Sequence, residues 1–146
     1  AAHDVGYAGD FMVADLDAEG RRLELVLVDV VPNHMAFVAP ESGNRPLWVL
    51  LKGGHLDGTE SVDVWHDERG TNELRGPRIA TTATHGTGCT LSSAVAALRP
   101  RHDDWLPAVR EARGWLTEAL RHGESLGIGS GAGPVHHFHE QPRWRT

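Results

Sequence analysis

Apolar and polar positions change their spacing along this chain, and each change marks a different kind of element. Residues Leu23 to Val31 read Leu-Glu-Leu-Val-Leu-Val-Asp-Val-Val, an apolar, β-branched run closed by Pro32. Such a run predicts a strand, buried on both faces toward its C-terminal end. Leu47 to Leu51 is a second short apolar run, ending at Lys52-Gly53-Gly54, and Glu60 to His66 alternates loosely as a third strand. A fourth is expected over Glu73 to Thr82, interrupted by Gly76-Pro77. The stretch Asp10 to Arg22 is polar and charged, with Gly9 and Gly20 as turn candidates. From Cys89 the period becomes helical: Leu91, Ala94, Val95 and Leu98 recur until Pro100. A second helix is expected behind a cap at Asp103 or Asp104. Its stripe is Trp105, Val109, Ala112, Leu116, Ala119 and Leu120, and Gly123 and Gly127 offer stops. Gly114 costs this helix about 1 kcal/mol relative to alanine, so packing must carry it. The tail from Gly127 to Pro134 is glycine-rich and irregular, and no internal repeat is visible.

Strands followed by helices predict an α/β fold. Pro40-Glu41-Ser42-Gly43-Asn44-Arg45-Pro46 is a loop by composition and divides the expectation in two. Residues 1–46 form a segment of uncertain origin with one strand. Residues 47–146 form a part with two helices and the loop before them.

Composition narrows the function classes. A chain of 146 residues fits one domain or two small pieces. Its formal charge of −6, with Lys52 the only lysine, argues against a nucleic-acid or anionic-membrane surface. Acidic ligands stay open, because backbone amides bind anions without net positive charge. Cys89 is the single cysteine, which fits a reducing, cytoplasmic compartment. No apolar run reaches the ~18–20 residues that cross a bilayer. The start, Ala1-Ala2-His3-Asp4, is not a secretory signal and looks cut from something longer.

The chemistry gathers at Thr84-His85-Gly86-Thr87-Gly88-Cys89-Thr90, between a strand and a helix. Gly86 and Gly88 let the backbone pass close to a ligand and permit positive φ. Unpaired amides at the first helical turn, with the helix dipole, favour a phosphate or a developing oxyanion. Thr87 and Thr90 add hydroxyl donors, and Cys89 is a candidate base. A bare Gly-x-Gly before a helix is more often a cap and turn, so the surrounding residues decide.

Those residues are Lys52-Gly53-Gly54-His55-Leu56-Asp57-Gly58, Pro77-Arg78-Ile79, Thr84 to Ala94, and Gly133-Pro134-Val135-His136-His137-Phe138-His139. In this order and at about these spacings they resemble the C-terminal part of the hydroxymethylpyrimidine and phosphomethylpyrimidine kinases of thiamine biosynthesis. The resemblance covers approximately Leu50 to Glu140. It implies a partial ribokinase-like three-layer fold with C-terminal helices, incomplete relative to the family. It implies that Gly86, Thr87 and Gly88 form an anion hole and that Cys89 stands at the catalytic cysteine, where sugar-kinase relatives carry an aspartate base. It implies that Lys52 and Gly54 lie near the nucleotide phosphates, with ATP and Mg²⁺ as cofactors and a small pyrimidine as substrate. Neither cofactor is readable from a Walker-type G-x-x-x-x-G-K-[ST] sequence, which is missing.

The family's N-terminal half, with its pyrimidine-binding segment, has no counterpart before Lys52. Instead, Asp29-Val30-Val31-Pro32-Asn33-His34-Met35-Ala36 followed by Ala39 to Trp48 resembles the maltooligosyltrehalose synthases, which are α-amylase-type barrels. There Asp29, Asn33 and His34 would support or contact the sugar. Kinases of the thiamine family also have a strand ending in D-V-V-T-P-N, so a second alignment of Asp29 to Asn33 stays open. Glycosidase chemistry needs two placed carboxylates from later strands, which about 46 residues cannot supply.

His136, His137 and His139 suggest metal binding by composition, but they belong to the kinase-like tail, where no metal role follows. Asp103-Asp104 reads as a cap, and Ser92-Ser93 lies in a helix without a His-Asp arrangement. Three readings follow: an ATP-dependent pyrimidine kinase, incomplete as a single chain; a non-enzymatic chimeric domain; and a carbohydrate-active fragment. Unpaired strand edges leave homo-oligomers open.

Overall fold

The computed structural model describes residues 11–16, 22–29, 47–54 and 57–141, with side chains from Trp48 onward. The chain divides into two compact units, residues 1–78 and residues 79–146, which are taken in turn.

The first unit is a sheet of five strands: β1 (Phe11–Leu16), β2 (Arg22–Asp29), β3 (Leu47–Lys52), β4 (Glu60–Asp67) and β5 (Gly70–Pro77), in that spatial order. β1 pairs antiparallel with β2 from Phe11↔Leu27 to Leu16↔Arg22. β2 runs parallel to β3 from Glu24↔Leu47 to Asp29↔Lys52. β3–β4 and β4–β5 are antiparallel, the latter pair joined through the two residues Glu68 and Arg69. Leu50 faces Trp65 directly across β3–β4, and both are fully buried, with Leu74 buried on the neighbouring strand.

Alternation along β4 brings Asp63, Trp65 and Asp67 to the buried side. Buried carboxylates need donors. Gly53 N–H donates to Asp63 Oδ1 at 2.8 Å, and Trp65 Nε1–H donates to Asp67 Oδ2 at 2.9 Å. Arg69 N–H donates to the other Asp67 oxygen at 2.9 Å, which closes the β4–β5 turn ahead of Gly70 at φ +123°. The Trp65 indole above all, then the Arg69 amide, holds the Asp67 carboxyl below its usual range against the opposing effect of burial. A carboxylate whose folded value is depressed contributes stability above its unfolded value and loses it as pH falls below about 4. Asp67→Asn should therefore lower the melting temperature at neutral pH, and the gap to wild type should close on acidification. A gap that stays constant from neutral to strongly acidic pH would contradict this. The exposed Arg75 bridges to Glu60 and Glu73, at 2.9 and 2.6 Å, are screened by solvent.

The second unit holds two helices, α1 (Thr87–Leu98) and α2 (Trp105–Arg121), with 3₁₀ turns at Arg99–Arg101 and Gly123–Leu126. Leu91 and Val95 from α1 and Trp105, Ala108, Val109, Ala112, Leu116 and Ala119 from α2 are buried, together with Ala83 and Val135. Asp104 caps α2, its Oδ1 accepting from Trp105 N–H at 2.7 Å, and the Arg99 guanidinium lies 5.1 Å over the Trp105 ring. The tail then returns along the unit. His136 N–H donates to Ala119 O, and His85 N–H donates to Gly133 O, both at 3.0 Å. Glu124 accepts from Thr82 N–H at 2.9 Å, and this bond, followed by one from the Thr81 hydroxyl, lowers its carboxyl pKa. Residues 81–85 are thus clasped by the 3₁₀ turn after α2 and by the tail. This fixes where the loop before α1 starts.

Several expectations need correction. β1 falls in the polar and charged stretch Asp10 to Arg22, where no strand is expected, because pairing with β2 makes Phe11–Leu16 a strand. The fourth expected strand, Glu73 to Thr82, is Gly70–Pro77, since the tight turn fixes its start and proline ends its ladder. No strand precedes the loop directly. The compact units divide after Arg78, and β2 and β3 lie in register within one sheet. On α2, Ala108 is buried and Leu120 only half-buried. Gly9, Gly20, Val30 to Pro32, the loop Pro40–Pro46, and His55-Leu56 lie outside the described residues.

Candidate functional site

The loop takes its shape from Gly86, which caps α1 at φ 78° and ψ 12°, a left-handed conformation. A Cβ there would meet no atom within 4 Å, so backbone conformation rather than space demands glycine. Gly86 O accepts from Thr90 N–H at 2.9 Å and closes the first turn. The amides of Thr87, Gly88 and Cys89 come before that bond and have no acceptor among the described residues. No acidic side chain lies in the first turn, so the positive end of the helix dipole is uncompensated. Three convergent N–H groups at such a terminus can hold a phosphate.

Gly88 is buried, Thr87 half-buried and Cys89 exposed, so the thiol is accessible beside the amides. Thr90 does not add a free hydroxyl as expected. It is buried and hydrogen-bonded to His137 Nε2 at 3.0 Å, so it anchors the tail to α1. Ser92 Oγ donates to Cys89 O at 2.9 Å. A cleft of about 890 Å³ runs along α1 and α2, lined by Cys89, Ser93, Trp115, Glu118, His137 and Glu140 among others.

The tail histidines are engaged in packing. His139 stacks on His122 with centroids 5.8 Å apart and rings 9° from parallel, and Trp115 leans on His139 and His137 at 5.6 and 6.3 Å. His139 Nδ1 lies 3.0 Å from His136 O. Among the described residues no three His, Cys, Asp or Glu side chains converge to hold a metal ion.

Lys52 and Gly54, the other expected contributors, belong to the first unit at the end of β3. Lys52 is buried at 8% exposure and Gly54 is exposed. Around them Arg78 donates from Nη1 to Gly54 O at 2.6 Å, and from Nη2 to Gly53 O at 3.2 Å and Glu60 O at 3.0 Å. Gly86, Thr87, Gly88 and Cys89 belong to the second unit. In the sequence Arg78 stands within Pro77-Arg78-Ile79 with no sign of this task, because a three-carbonyl clamp leaves no trace in spacing. Asp29 ends β2 in register with Lys52, whereas Asn33 and His34 lie outside the described residues.

Residues 41–136 match the sequence signature of phosphomethylpyrimidine kinase. The hydroxymethylpyrimidine/phosphomethylpyrimidine kinase of Escherichia coli (strain K12) is 55% identical over 91 residues, covering 62% of this chain and 34% of that protein. The thiamine biosynthesis multifunctional protein ThiED of Corynebacterium efficiens is 34% identical over 155 residues, covering 92% of this chain and 21% of its own length. Among solved structures, the pyridoxal kinase from Staphylococcus aureus in complex with AMP-PCP and pyridoxal superposes with a TM-score of 0.59 at 27% identity, over 65% of this chain and 35% of that one. The fold is α/β and ribokinase-like over the matched part. The chain spans about a third or less of the length of these relatives.

Proposed function

Since the chain belongs to the phosphomethylpyrimidine kinase family, we propose that it carries the phosphoryl-transfer loop of an ATP-dependent kinase acting on hydroxymethylpyrimidine and its monophosphate. The observation that carries this reading is the set of three acceptor-free amides at Thr87, Gly88 and Cys89 behind left-handed Gly86. Phosphoryl transfer relies on positioning and on neutralising charge spread over the transferred group. In this reading those amides stabilise that charge, Cys89 accepts the proton of the attacking hydroxyl, and Lys52 and Gly54 hold the nucleotide phosphates. The pyridoxal kinase holding AMP-PCP supports a nucleotide as donor.

The first turn of α1 offers no carboxylate. It therefore supplies no carboxylate to a magnesium ion arriving with the nucleotide. When bound, that ion would neutralise phosphate charge. No helix among the described residues is long and apolar enough to cross a membrane. The reading includes a cytoplasmic location and, through the edge strands β1 and β5, association into homo-oligomers. For the segment before β3, a relative matched over 92% of the chain supports the kinase alignment of Asp29 to Asn33. The chimeric, barrel-enzyme alignment of the same residues is the alternative.

The test is a coupled assay of phosphate transfer from ATP to hydroxymethylpyrimidine and to its monophosphate, run on size-exclusion fractions. Turnover in any fraction is the expected result. None in any oligomeric state would refute the enzyme reading for this chain and favour a non-enzymatic domain.

A further inference from the structure

The end of β3 carries an arrangement that neither strand pairing nor packing requires. Gly54 has no positive φ, and a Cβ built there meets nothing within 4 Å. Its N–H has no acceptor among the described residues. Yet the peptides on both sides of it are held. Gly53 N–H is fixed on Asp63 Oδ1 at 2.8 Å. The carbonyls of Gly53 and Gly54 are drawn to one guanidinium, at 3.2 and 2.6 Å, which also holds Glu60 O at 3.0 Å. Arg78 is itself anchored by its own N–H, which donates to Thr59 O at 3.1 Å.

A trans peptide is planar, with its N–H directed opposite its C=O. The peptide joining Gly53 to Gly54 is trans. Drawing Gly53 O toward Arg78 therefore aims the Gly54 N–H away from the guanidinium. Arg78 accepts a cost for this, because its Nε is buried without an acceptor among the described residues. A planar fork reaches several carbonyls at fixed angles. An ammonium group reaches them singly.

We infer that Arg78 is a positioning residue that presents the Gly54 amide as an anion donor for the nucleotide phosphates. It acts through the Gly53 and Gly54 carbonyls and does not itself touch the phosphate. The inference rests on the nucleotide-binding reading above and adds to it a residue and a donor atom.

The experiment titrates ATP-Mg into wild type and Arg78→Lys, followed by calorimetry and by the ¹H–¹⁵N signal of Gly54, with melting temperatures alongside. In wild type the Gly54 amide proton should move downfield as it takes a phosphate acceptor. In Arg78→Lys the affinity should fall about tenfold and the Gly54 shift should shrink, with the protein still folded. Two results would overturn the inference while leaving nucleotide binding in place: a Gly54 signal that stays still while wild type binds ATP, or wild-type affinity in Arg78→Lys. The same holds if the variant loses affinity only in proportion to its unfolded fraction. Should Arg78→Lys not fold at all, the wild-type Gly54 signal alone decides. A wild type that binds no ATP overturns the nucleotide reading itself, and this inference with it.

Discussion

Replacing Cys89 by alanine is expected to lower phosphate transfer about 10²–10⁴-fold while leaving ATP affinity within about twofold of wild type, the signature of a lost general base. The separation follows from where the atoms sit. The proposed anion donors are backbone amides at Thr87, Gly88 and Cys89, which a side-chain change leaves in place, whereas the exposed thiol stands beside them. Cys89→Asp puts a carboxylate base at the same helical position and should recover part of the lost rate. The coupled assay on hydroxymethylpyrimidine measures both variants. Full activity in Cys89→Ala would remove the cysteine from the mechanism and leave only the amide nest.

The largest expected effect on stability is at Gly123. A Cβ there would stand 2.5 Å from Ala83 Cβ and 3.2 Å from Pro134 O, inside contact distance on both sides. Alanine would gain about 0.4–1 kcal/mol by restricting the unfolded chain. Forcing a methyl into a filled site costs about 1–3 kcal/mol, so the clash wins. The loss should exceed its size at this one residue, because Gly123 sits where Glu124 holds Thr82 and where the tail pairs with His85. Loosening that corner frees the approach to Gly86, so weaker anion binding should accompany the lower melting temperature. Gly114→Ala is the control. Nothing lies within 4 Å of its missing Cβ, so the helix should gain about 1 kcal/mol. A Gly123→Ala protein that melts with or above wild type in thermal denaturation would contradict the packing account.

The helical unit was legible because its signals are local. Apolar spacing from Leu91 to Leu98 and from Trp105 to Ala119 marks both helices, and Asp104 supplies the expected cap. β3 and β4 were legible for the same reason. β1 was not, since Phe11–Leu16 is too short and mixed to stand as a strand without its ladder to β2. The start of β5 was hidden as well: Gly-Thr-Asn-Glu carries no alternating pattern, and only the turn held by Asp67 sets it.

At the site the division is similar. Gly86-Thr87-Gly88 announces a helix start, and helix termini leave amides unpaired whatever the rest of the fold does. The engagement of Thr90 is not legible there, since its hydroxyl partner His137 lies 47 positions along the chain. The Arg78 clamp spans 24 positions to Gly54 and engages only backbone oxygens, so side-chain identity in the strand gives no hint of it. Contacts of this kind depend on tertiary closure, which no local period encodes.

The central claim is that the head of α1 binds the phosphates of a nucleotide through the amides of Thr87, Gly88 and Cys89. The measurement that reaches it most directly is a titration of ATP-Mg against wild type, Cys89→Ala and Gly88→Trp, with circular dichroism confirming that helix content is kept. Wild type and Cys89→Ala should bind alike, and Gly88→Trp, whose indole would cover the amides, should bind at least about tenfold more weakly. Equal binding by all three, or no binding by any, would contradict the claim.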